Sequence, residues 1–331
     1  MISSFNAFRV HRVNGKIESR LEKISIDQLG DGEVLVKVHF SSLNYKDALG
    51  PMGRAPIQRR FPLIVGIDLV GEVVSSESTE FSPGDLVIAN GCDLGEKING
   101  GFTEYVRVPA SILMPLPPSL SPINAMTIGT AGFSAALALK RMNQCGQTPS
   151  QGPILVSGAS GGVGSFAVKF FSSYGYEVLA VSGKTDAKEF LLSLGAHEVL
   201  TPDQIKFGSS PLEVVRWGGA VDNIGGEFLA GLIRHTQLWG SIASIGLAGG
   251  SNYEGSVMPH ILRGVNILGI SSNNCPMPLR RSIWNQLAQD YKPETISLFR
   301  AKTIPLGGLL NAFQELLERK VTGRIVVDCR S

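Results

Sequence analysis

The sequence predicts an α/β protein of two domains, one β-rich and one built on a doubly wound parallel sheet. Length is the first observation, because 331 residues exceed the size of one ordinary domain. The second is the stretch ILVSGASGGVG at residues 154–164, which has the order of a strand, a glycine turn and a helix. The third is a change of pattern, since short strands dominate the first part and strands alternate with helices from residue 154 onwards.

The composition is typical of a well-packed soluble protein. Hydrophobic residues make up 43% of the chain, 39 residues are glycine and the net charge is +2, so no basic excess indicates a nucleic-acid partner. No stretch of the sequence approaches the roughly twenty consecutive apolar residues that a membrane-spanning helix needs, and we therefore expect no membrane span. The N-terminus MISSFNAFRVHR lacks the apolar segment of a secretory signal, which favours a cytoplasmic protein.

The cysteines indicate neither a disulfide framework nor a metal site. Cys92, Cys145, Cys275 and Cys329 are scattered, without Cys-x-x-Cys spacing or neighbouring histidines. A reducing compartment is consistent with this usage.

Short strands are predicted through the first part of the chain. A hairpin is expected between Phe5–Val10 and Ile17–Ile24, because Asn14-Gly15 is a strong signal for a tight turn. Alternating apolar residues predict a strand over Val34–Phe40. The glycines within Pro62–Val74 are typical of strands that bend in a small barrel-like sheet.

The second part has the pattern of a parallel sheet. Residues Pro122–Met142 are predicted as helix on both sides of Gly129–Gly132. The strands that follow are Ile154–Val156, Glu177–Val181, Glu198–Leu200, Ala220–Ile224, Ser241–Ile245 and Val265–Ile270. Near the C-terminus we expect an amphipathic helix over Leu309–Leu317 and a strand over Arg324–Val327 that return to the first domain.

The glycine turn after residue 156 is suited to a dinucleotide. Ala159, Gly161 and Gly164 occupy the three glycine positions of G-x-G-x-x-G, so the first position departs from the standard. A pyrophosphate can approach a helix N-terminus only where no Cβ intervenes, which Gly161, Gly162 and Gly164 permit. An ordinary glycine-rich turn remains the alternative, but the second strand has the spacing of one that contacts a ribose.

The end of that second strand favours NADPH over NADH. No acid is present there to bind a bare 2′-hydroxyl; instead Ser182, Gly183 and Lys184 suit a 2′-phosphate. Asp186 either turns back to the ribose or opens the helix Ala187–Leu194. The glycine-rich segment Gly246–Gly250, after the fifth strand, is also expected to contact the cofactor.

A polar cluster at residues 41–47, SSLNYKD, lies where a strand meets a helix, a common position for catalytic groups. The loop that follows carries Arg54, Arg59 and Arg60. These arginines either form a solvated basic loop or bind phosphates.

Six motifs occur in the order found in a known superfamily: NYKD at 44–47, GIDLVG at 66–71, FSPGDLV at 81–87, GGFTEYV at 100–106, GTAGFSA at 129–135 and SGASGGVG at 157–164. Over nearly its whole length the chain resembles the medium-chain dehydrogenase/reductase superfamily. LNYKDAL, GTAGF, VSGK and GLAGG resemble the zinc-free branch of NADPH-dependent acryloyl-CoA reductases, often labelled quinone oxidoreductases. The resemblance implies a GroES-like catalytic domain of residues 1–122 and 274–331, a Rossmann domain of residues 123–273, and an active site in the cleft between them.

The resemblance also implies site residues and the absence of a metal. Zinc ligands are not expected, because Asn44 replaces a cysteine, Gly66-Ile67-Asp68 replaces Gly-His-Glu, and residues 85–101 hold Cys92 alone of the four cysteines of a structural lobe. The implied cofactor contacts are Tyr45, Ser160, Gly161, Gly162, Val163, Ser182, Gly183 and Lys184, with Leu247, Ile261 and Ser272 on the nicotinamide side.

Without a Lewis acid, the expected reaction is hydride transfer from NADPH to an electron-poor alkene. The resemblance implies that this alkene belongs to a short enoyl-CoA such as acryloyl-CoA, and hydride transfer to it leaves an enolate to be protonated. Tyr45 either donates that proton or only packs on the nicotinamide. Asn44 is expected to offer an amide donor to the substrate, and Lys46 and Asp47 to form a structural ion pair. A quinone reductase and an NADPH-binding protein with little turnover remain alternative functions.

Two further partners are expected. CoA carries phosphates, which Arg54, Arg59 and Arg60 are predicted to bind. A second copy of the chain is predicted to pair with the apolar edge of the sixth parallel strand, giving a homodimer.

Overall fold

The computed structural model describes residues 4–299 and 301–330. The chain divides into two compact units, which we call unit 1 (Met1–Thr130 with Ser272–Ser331) and unit 2 (Ala131–Ser271). Unit 1 contains mainly antiparallel sheets and unit 2 a parallel sheet with helices. The predicted α/β fold class is confirmed.

The described strands, in chain order, are β1 (Phe5–Val13), β2 (Lys16–Ile24), β3 (Val34–Ser42), β4 (Leu63–Ile64), β5 (Asp68–Ser76), β6 (Leu86–Asn90), β7 (Tyr105–Val108), β8 (Met114–Pro115), β9 (Ile154–Val156), β10 (Val178–Val181), β11 (Glu198–Leu200), β12 (Gly219–Asp222), β13 (Ser241–Ser244), β14 (Asn266–Gly269), β15 (Lys302–Pro305) and β16 (Ile325–Asp328). The described α-helices are α1 (Tyr45–Leu49), α2 (Pro122–Gln144), α3 (Gly162–Ser173), α4 (Lys188–Ser193), α5 (Gly226–Arg234), α6 (Met258–Arg263), α7 (Met277–Asp290), α8 (Pro293–Ser297) and α9 (Leu309–Leu317).

Unit 1 is built on two sheets. In the larger sheet the strand order is β15-β16-β3-β5-β6-β8, with β7 also paired to β3, and in the smaller it is β2-β1-β4. The predicted hairpin is confirmed, since β1 pairs antiparallel with β2 from Phe5 opposite Ile24 to Val13 opposite Lys16. Asn14 and Gly15 have φ values of 50° and 79°, the left-handed pair that a two-residue hairpin turn requires.

The C-terminal segment completes the core of unit 1, as predicted. Strand β16 pairs antiparallel with β3. Phe313 of α9 contacts the rings of Phe8 and Phe102, with centroids 5.5 and 6.1 Å away, and all three rings are fully buried. Each buried ring contributes roughly 1.5–3 kcal/mol, so the core of this unit depends on both ends of the chain.

Helix α2 bends at Gly129, within the predicted helix. Gly129 has φ 48° and ψ −159°, outside the helical region. A Cβ there would meet the Asp68 carboxylate at 2.8 Å, so glycine lets the chain pass close to a buried acid.

By length and hydropathy α2 could cross a membrane, but 72% of the apolar stretch is buried inside the protein, as in the core helix of a folded domain.

Unit 2 contains a six-stranded sheet whose neighbouring strands are all parallel, in the order β11-β10-β9-β12-β13-β14. The six predicted strands are found. β12 ends at Asp222, two residues early, because the Asp222 carboxylate accepts the N–H groups of Ile224 at 3.1 Å and Gly225 at 2.9 Å and turns the chain. The strand order reverses between β9 and β12, where sheets of this kind bind ligands.

Strand β14 forms one edge of that sheet. The N–H groups of Asn266 and Ile270 donate to Gly240 and Ser244, both at 3.0 Å. Because the amides of a strand alternate in direction, those of Ile267 and Gly269 face away from β13. They are therefore available to another strand.

We predict a dimer at micromolar concentration through this edge. Gly269→Pro should shift it to monomer, because proline removes one outward N–H group. Gly269→Ala is the matched control, since a Cβ at that position meets nothing within 4 Å, and it should remain dimeric. Light scattering is the measurement; a monomeric wild type, or a dimer unaffected by proline, would contradict the assignment.

Candidate functional site

The glycine turn in unit 2 exposes backbone N–H groups at the start of a helix. Strand β9 ends at Val156 and α3 begins at Gly162. The first N–H groups of a helix have no partner within it, and the helix dipole adds partial positive charge. This terminus is suited to a phosphate group.

Close packing explains the glycine pattern of that turn. A Cβ on Gly164 would lie 2.6 Å from the Ala159 Cα, so α3 rests directly on the turn. Gly158 has a left-handed φ of 57°, which favours glycine. Ala159, at the position that departs from the fingerprint, is fully buried.

The Asp222 carboxylate joins the ends of β9 and β12. Ser157 Oγ donates to Asp222 Oδ1 at 2.8 Å, while Asn223 donates its N–H to Ser157 Oγ at 2.9 Å and its Nδ2 to the Ser157 carbonyl at 2.7 Å. Burial raises the pKa of Asp222, and the bonds from Ile224, Ser157 and Gly225 oppose the rise. The two strand ends beside the reversal are therefore held at a fixed spacing. This group was not predicted from the sequence.

Hydroxyl groups connect the end of β10 to the glycine turn. Ser182 Oγ donates to Ser160 Oγ at 2.9 Å and accepts the N–H of Lys184 at 3.1 Å. Both serines are buried. Lys184 is half-buried, and burial lowers the pKa of its ammonium group, an effect that the nearby Asp186 opposes. The structure thus brings together the residues predicted for the 2′-phosphate and those predicted for the pyrophosphate.

Asp186 lies in a short 3-10 turn, Thr185–Ala187, directly before α4. Helix α4 runs over Lys188–Ser193 and is shorter at both ends than predicted. Of the two roles considered for Asp186, opening the helix agrees with this position.

The residues expected on the nicotinamide side are divided between the units. Leu247 and Ile261 belong to unit 2 and are 57% and 73% exposed. Ser272 belongs to unit 1, where its carbonyl accepts Arg280 Nη2 at 2.8 Å. The segment containing Leu247 contacts the end of β12, since the Gly249 N–H donates to the Ile224 carbonyl at 2.7 Å. Contact of these residues with a cofactor stays a prediction.

In unit 1, Tyr45 is the first residue of α1 and is 37% exposed. Its hydroxyl has no hydrogen-bond partner among residues 4–299 and 301–330. The phenol is therefore available to a ligand as donor or acceptor.

The buried Asp68 carboxylate accepts four donors near the start of α1. Oδ1 accepts Thr130 Oγ1 at 2.5 Å. Oδ2 accepts Asn44 Nδ2 at 2.8 Å, the Thr130 N–H at 3.0 Å and the Ser42 hydroxyl. A carboxylate has about four lone-pair sites for hydrogen bonds, and these four donors occupy them.

Arg324 supplies the positive charge of this buried cluster. Its Nε donates to the Thr127 carbonyl at 3.0 Å, its Nη1 to the Leu43 carbonyl at 3.1 Å, and its Nη2 to Ser42 Oγ at 2.9 Å. Burial lowers the pKa of Arg324 to about 10, although the carboxylates of Asp68 and Asp47 oppose the shift. Neither Arg324 nor Thr130 was predicted from the sequence as a member of the site.

Asn44 requires a correction, because its side chain is turned into this cluster. Nδ2 lies 2.8 Å from Asp68 Oδ2 and 3.3 Å from both Asp47 Oδ2 and the Ser42 carbonyl, and Oδ1 lies 3.4 Å from Arg324 Nη1. The amide donor expected to face the substrate is thus used inside unit 1. Asn44 instead holds the start of α1, and with it Tyr45.

The expected ion pair between Lys46 and Asp47 is wrong. Lys46 Nζ lies 2.7 Å from Glu96 Oε1. Asp47 is buried, and its two oxygens accept the N–H groups of Asn44 and Ile67, both at 2.9 Å. Consecutive helix residues face different directions, so neighbours in sequence do not pair. Burial, and secondarily the neighbouring Asp68, raise the pKa of Asp47 to about 7.

These residues do not fit a metal ion. Asp68 has its oxygens occupied by donors, and Asn44 turns its amide nitrogen inwards. In the part of the chain that the structure describes, no three His, Cys, Asp or Glu side chains are grouped as metal ligands. The zinc-free site remains a prediction, and this donor set supports it.

Two family models match the chain: "Alcohol dehydrogenase GroES-like domain" over residues 30–118 and "Zinc-binding dehydrogenase" over residues 162–290. "Acrylyl-CoA reductase AcuI" of Ruegeria pomeroyi is 39% identical over 330 residues, covering 98% of this chain and 99% of that protein. "Putative quinone oxidoreductase YhfP" of Bacillus subtilis is 40% identical over 328 residues, 99% of each. The chain belongs to the medium-chain dehydrogenase/reductase superfamily.

Solved structures agree with this placement. The yhdH oxidoreductase of Salmonella enterica, in complex with NADP, has a TM-score of 0.94 at 39% identity and covers 98% of this chain and 99% of its own. The Bacillus subtilis yhfP protein with NAD bound has a TM-score of 0.93 and the same coverage. This superfamily member is therefore an oxidoreductase of the acryloyl-CoA reductase branch, as its motifs predicted.

The raised pKa of Asp47 should make the free energy of unfolding depend on pH. Its folded pKa of about 7 exceeds the unfolded value of about 3.9, so the folded state binds the extra proton and stability falls as pH rises from about 4 to 7. The slope contributed is at most about 1.4 kcal/mol per pH unit. Asp47→Asn cannot ionise and should flatten the profile, whatever its absolute stability.

The measurement is the free energy of unfolding by urea at several pH values, at one fixed protein concentration. Parallel profiles for the wild type and Asp47→Asn would contradict the raised pKa.

Proposed function

We propose that this oxidoreductase uses NADPH to reduce the C=C bond of a short enoyl-CoA, with acryloyl-CoA as the preferred substrate and propanoyl-CoA as the product. The observation that carries the proposal is the full-length similarity to a relative named acrylyl-CoA reductase, at 39% identity. The geometry of both units supports it.

The end of β10 supports NADPH as the cofactor. A hydroxyl and a half-buried ammonium group, those of Ser182 and Lys184, follow this strand where an acid would be needed to bind a bare ribose. A partly desolvated cation gains more from a phosphate than an exposed one does. The start of α3, at Gly162, suits the pyrophosphate.

Tyr45 is the proposed donor to the reacting substrate. Bound NADPH supplies a hydride to Cβ of the alkene, and the thioester carbonyl delocalises the resulting charge as an enolate. Tyr45 is 37% exposed and its hydroxyl has no partner in the described residues, so it can stabilise the enolate oxygen or deliver the proton to Cα. Asn44 and Asp68 hold the helix that begins with Tyr45 and thereby limit its movement.

Quinone reduction is the second candidate. The Bacillus subtilis relative at 40% identity carries that name, and the same fold and cofactor would support it. A quinone accepts hydride without a CoA carrier, which makes the two functions separable by assay.

We predict that Lys184→Asp weakens NADPH binding much more than NADH binding. A lost charge-assisted phosphate contact costs about 1.5–3 kcal/mol, on the order of 10- to 150-fold in Kd. Lys188→Asp is the control, because it makes the same charge change on an exposed residue of α4. Fluorescence titration measures both cofactors; equal losses for the two would remove the NADPH assignment.

The substrate prediction is tested by steady-state kinetics with NADPH and either acryloyl-CoA or benzoquinone. We expect the higher kcat/KM with acryloyl-CoA. If Tyr45 donates the proton, Tyr45→Phe should lower kcat about 10²-fold or more with little change in KM. Faster turnover of the quinone would favour the second candidate, and negligible turnover of both would indicate a dinucleotide-binding protein instead.

A further inference from the structure

A cavity of about 250 Å³ lies in unit 1, between the tip of the β1–β2 hairpin and the loop of residues 50–61 that follows α1. We call it the arginine pocket, because Arg12 of the hairpin and Arg54 of the loop both line it. The described residues of its lining include no aspartate or glutamate. It is smaller than a typical pocket for a drug-sized molecule, about 300–1,000 Å³, and so suits one end of a longer ligand.

The two guanidinium groups carry uncompensated charge. Neither Arg12 nor Arg54 forms an ion pair with an acidic side chain in the part of the chain that the structure describes. By contrast, Arg9 and Arg20 of the same hairpin both pair with Glu22, at 2.9 Å. The Arg12 guanidinium lies 4.5 Å from the centroid of the Phe61 ring, a contact that orients it without using its N–H donors.

Hydrogen bonds to backbone carbonyls fix the hairpin and the loop that form the two walls of the pocket. Ser19 Oγ on the hairpin donates to the Pro51 carbonyl on the loop at 2.8 Å. Within the loop, the Arg54 N–H donates to the Leu49 carbonyl at 2.8 Å, which fixes the position of its backbone. Gln58 is buried and its Nε2 donates to the Gly95 carbonyl at 3.1 Å. The pocket is therefore formed before any ligand arrives.

We propose that the arginine pocket binds the phosphate groups of the CoA carrier, an inference that rests on the proposed enoyl-CoA substrate. Two forked cations without carboxylate partners match phosphate oxygens, which accept paired N–H donors. The pocket borders Gly50, and α1 separates Gly50 from Tyr45 by five residues, about 7.5 Å of helix rise. A pantetheine arm is long enough to connect a nucleotide at the pocket with a thioester near Tyr45.

The three arginines of the loop differ in their position relative to the arginine pocket. Arg54 lines the cavity with Arg12, a residue that was not predicted from the sequence. Arg59 and Arg60 are exposed and are not part of the lining. Their charges add positive potential to the loop, which salt screens over about 8–10 Å. Binding should therefore depend more on Arg12 and Arg54 than on the other two.

The experiment compares acryloyl-CoA with acryloyl-pantetheine, which lacks the nucleotide, at saturating NADPH. The variants are Arg12→Ala with Arg54→Ala, the conservative pair Arg12→Lys with Arg54→Lys, and the control Arg281→Ala, an exposed arginine of α7 outside the pocket. The alanine pair should raise the KM for acryloyl-CoA at least about tenfold and leave kcat/KM for the pantetheine ester unchanged. The lysine pair should recover part of the loss, and Arg281→Ala should match the wild type.

A calorimetric titration keeps this inference separate from the proposed function. Adenosine 3′,5′-bisphosphate is added to enzyme saturated with NADP⁺, so that the dinucleotide site is occupied. Binding that is lost in the alanine pair supports the arginine pocket even if neither ester is reduced, in which case the proposed function alone fails. No binding to the wild type, or equal losses on both esters in the alanine pair, overturns the inference while leaving acryloyl-CoA reduction intact.

Discussion

The organisation of unit 1 depends on the Asp68 carboxylate and the donors that surround it. A buried ion costs several kcal/mol unless hydrogen bonds and opposite charge compensate it. Here the donors come from Ser42 at the end of β3, Asn44 at the start of α1 and Thr130 in α2, and Arg324 donates to the same serine. The buried carboxylate thereby connects β3, α1 and α2. Gly129 is part of the same constraint, because a Cβ there would collide with the carboxylate.

This cluster determines what the polar corner can offer to chemistry. Asn44 and Asp47 direct their polar groups inwards, and Lys46 is held by Glu96. Tyr45 is the member of the NYKD motif whose hydroxyl is left for a ligand. The described donors of this corner supply hydrogen bonds, which agrees with the proposed substrate, because an α,β-unsaturated thioester delocalises negative charge by itself.

Unit 2 uses the same principle on a smaller scale. Asp222 connects the ends of β9 and β12 through Ser157, and Ser182 connects the end of β10 to the glycine turn through Ser160. Because these bonds already fix the strand ends and the glycine turn, less conformational entropy is lost there when a dinucleotide binds. Lys184 follows Ser182 directly, so its backbone is positioned by the same bonds.

The sequence by itself determined the fold class, the strands of the parallel sheet, the hairpin at Asn14-Gly15 and the superfamily. These features depend on short-range patterns: periodicity, turn residues, and glycines where a Cβ would collide. It also predicted cofactor contacts at the glycine turn and at Lys184, and the bond from Ser182 to Ser160 agrees with that grouping. Such a prediction is possible because a phosphate site of this type is built from residues close together in the chain.

Only the tertiary structure decided how the polar corner is connected. Arg324 and Ser42 are 282 positions apart and yet bond directly, and no local pattern records such a contact. Adjacency in sequence suggested an ion pair between Lys46 and Asp47, whereas helix geometry sends the two side chains to different partners. Arg12 and Arg54 come to line one cavity for the same reason. Local sequence specifies backbone conformation. The packing of distant segments determines which partners a buried charge has, and which charged side chains come together without an acidic partner.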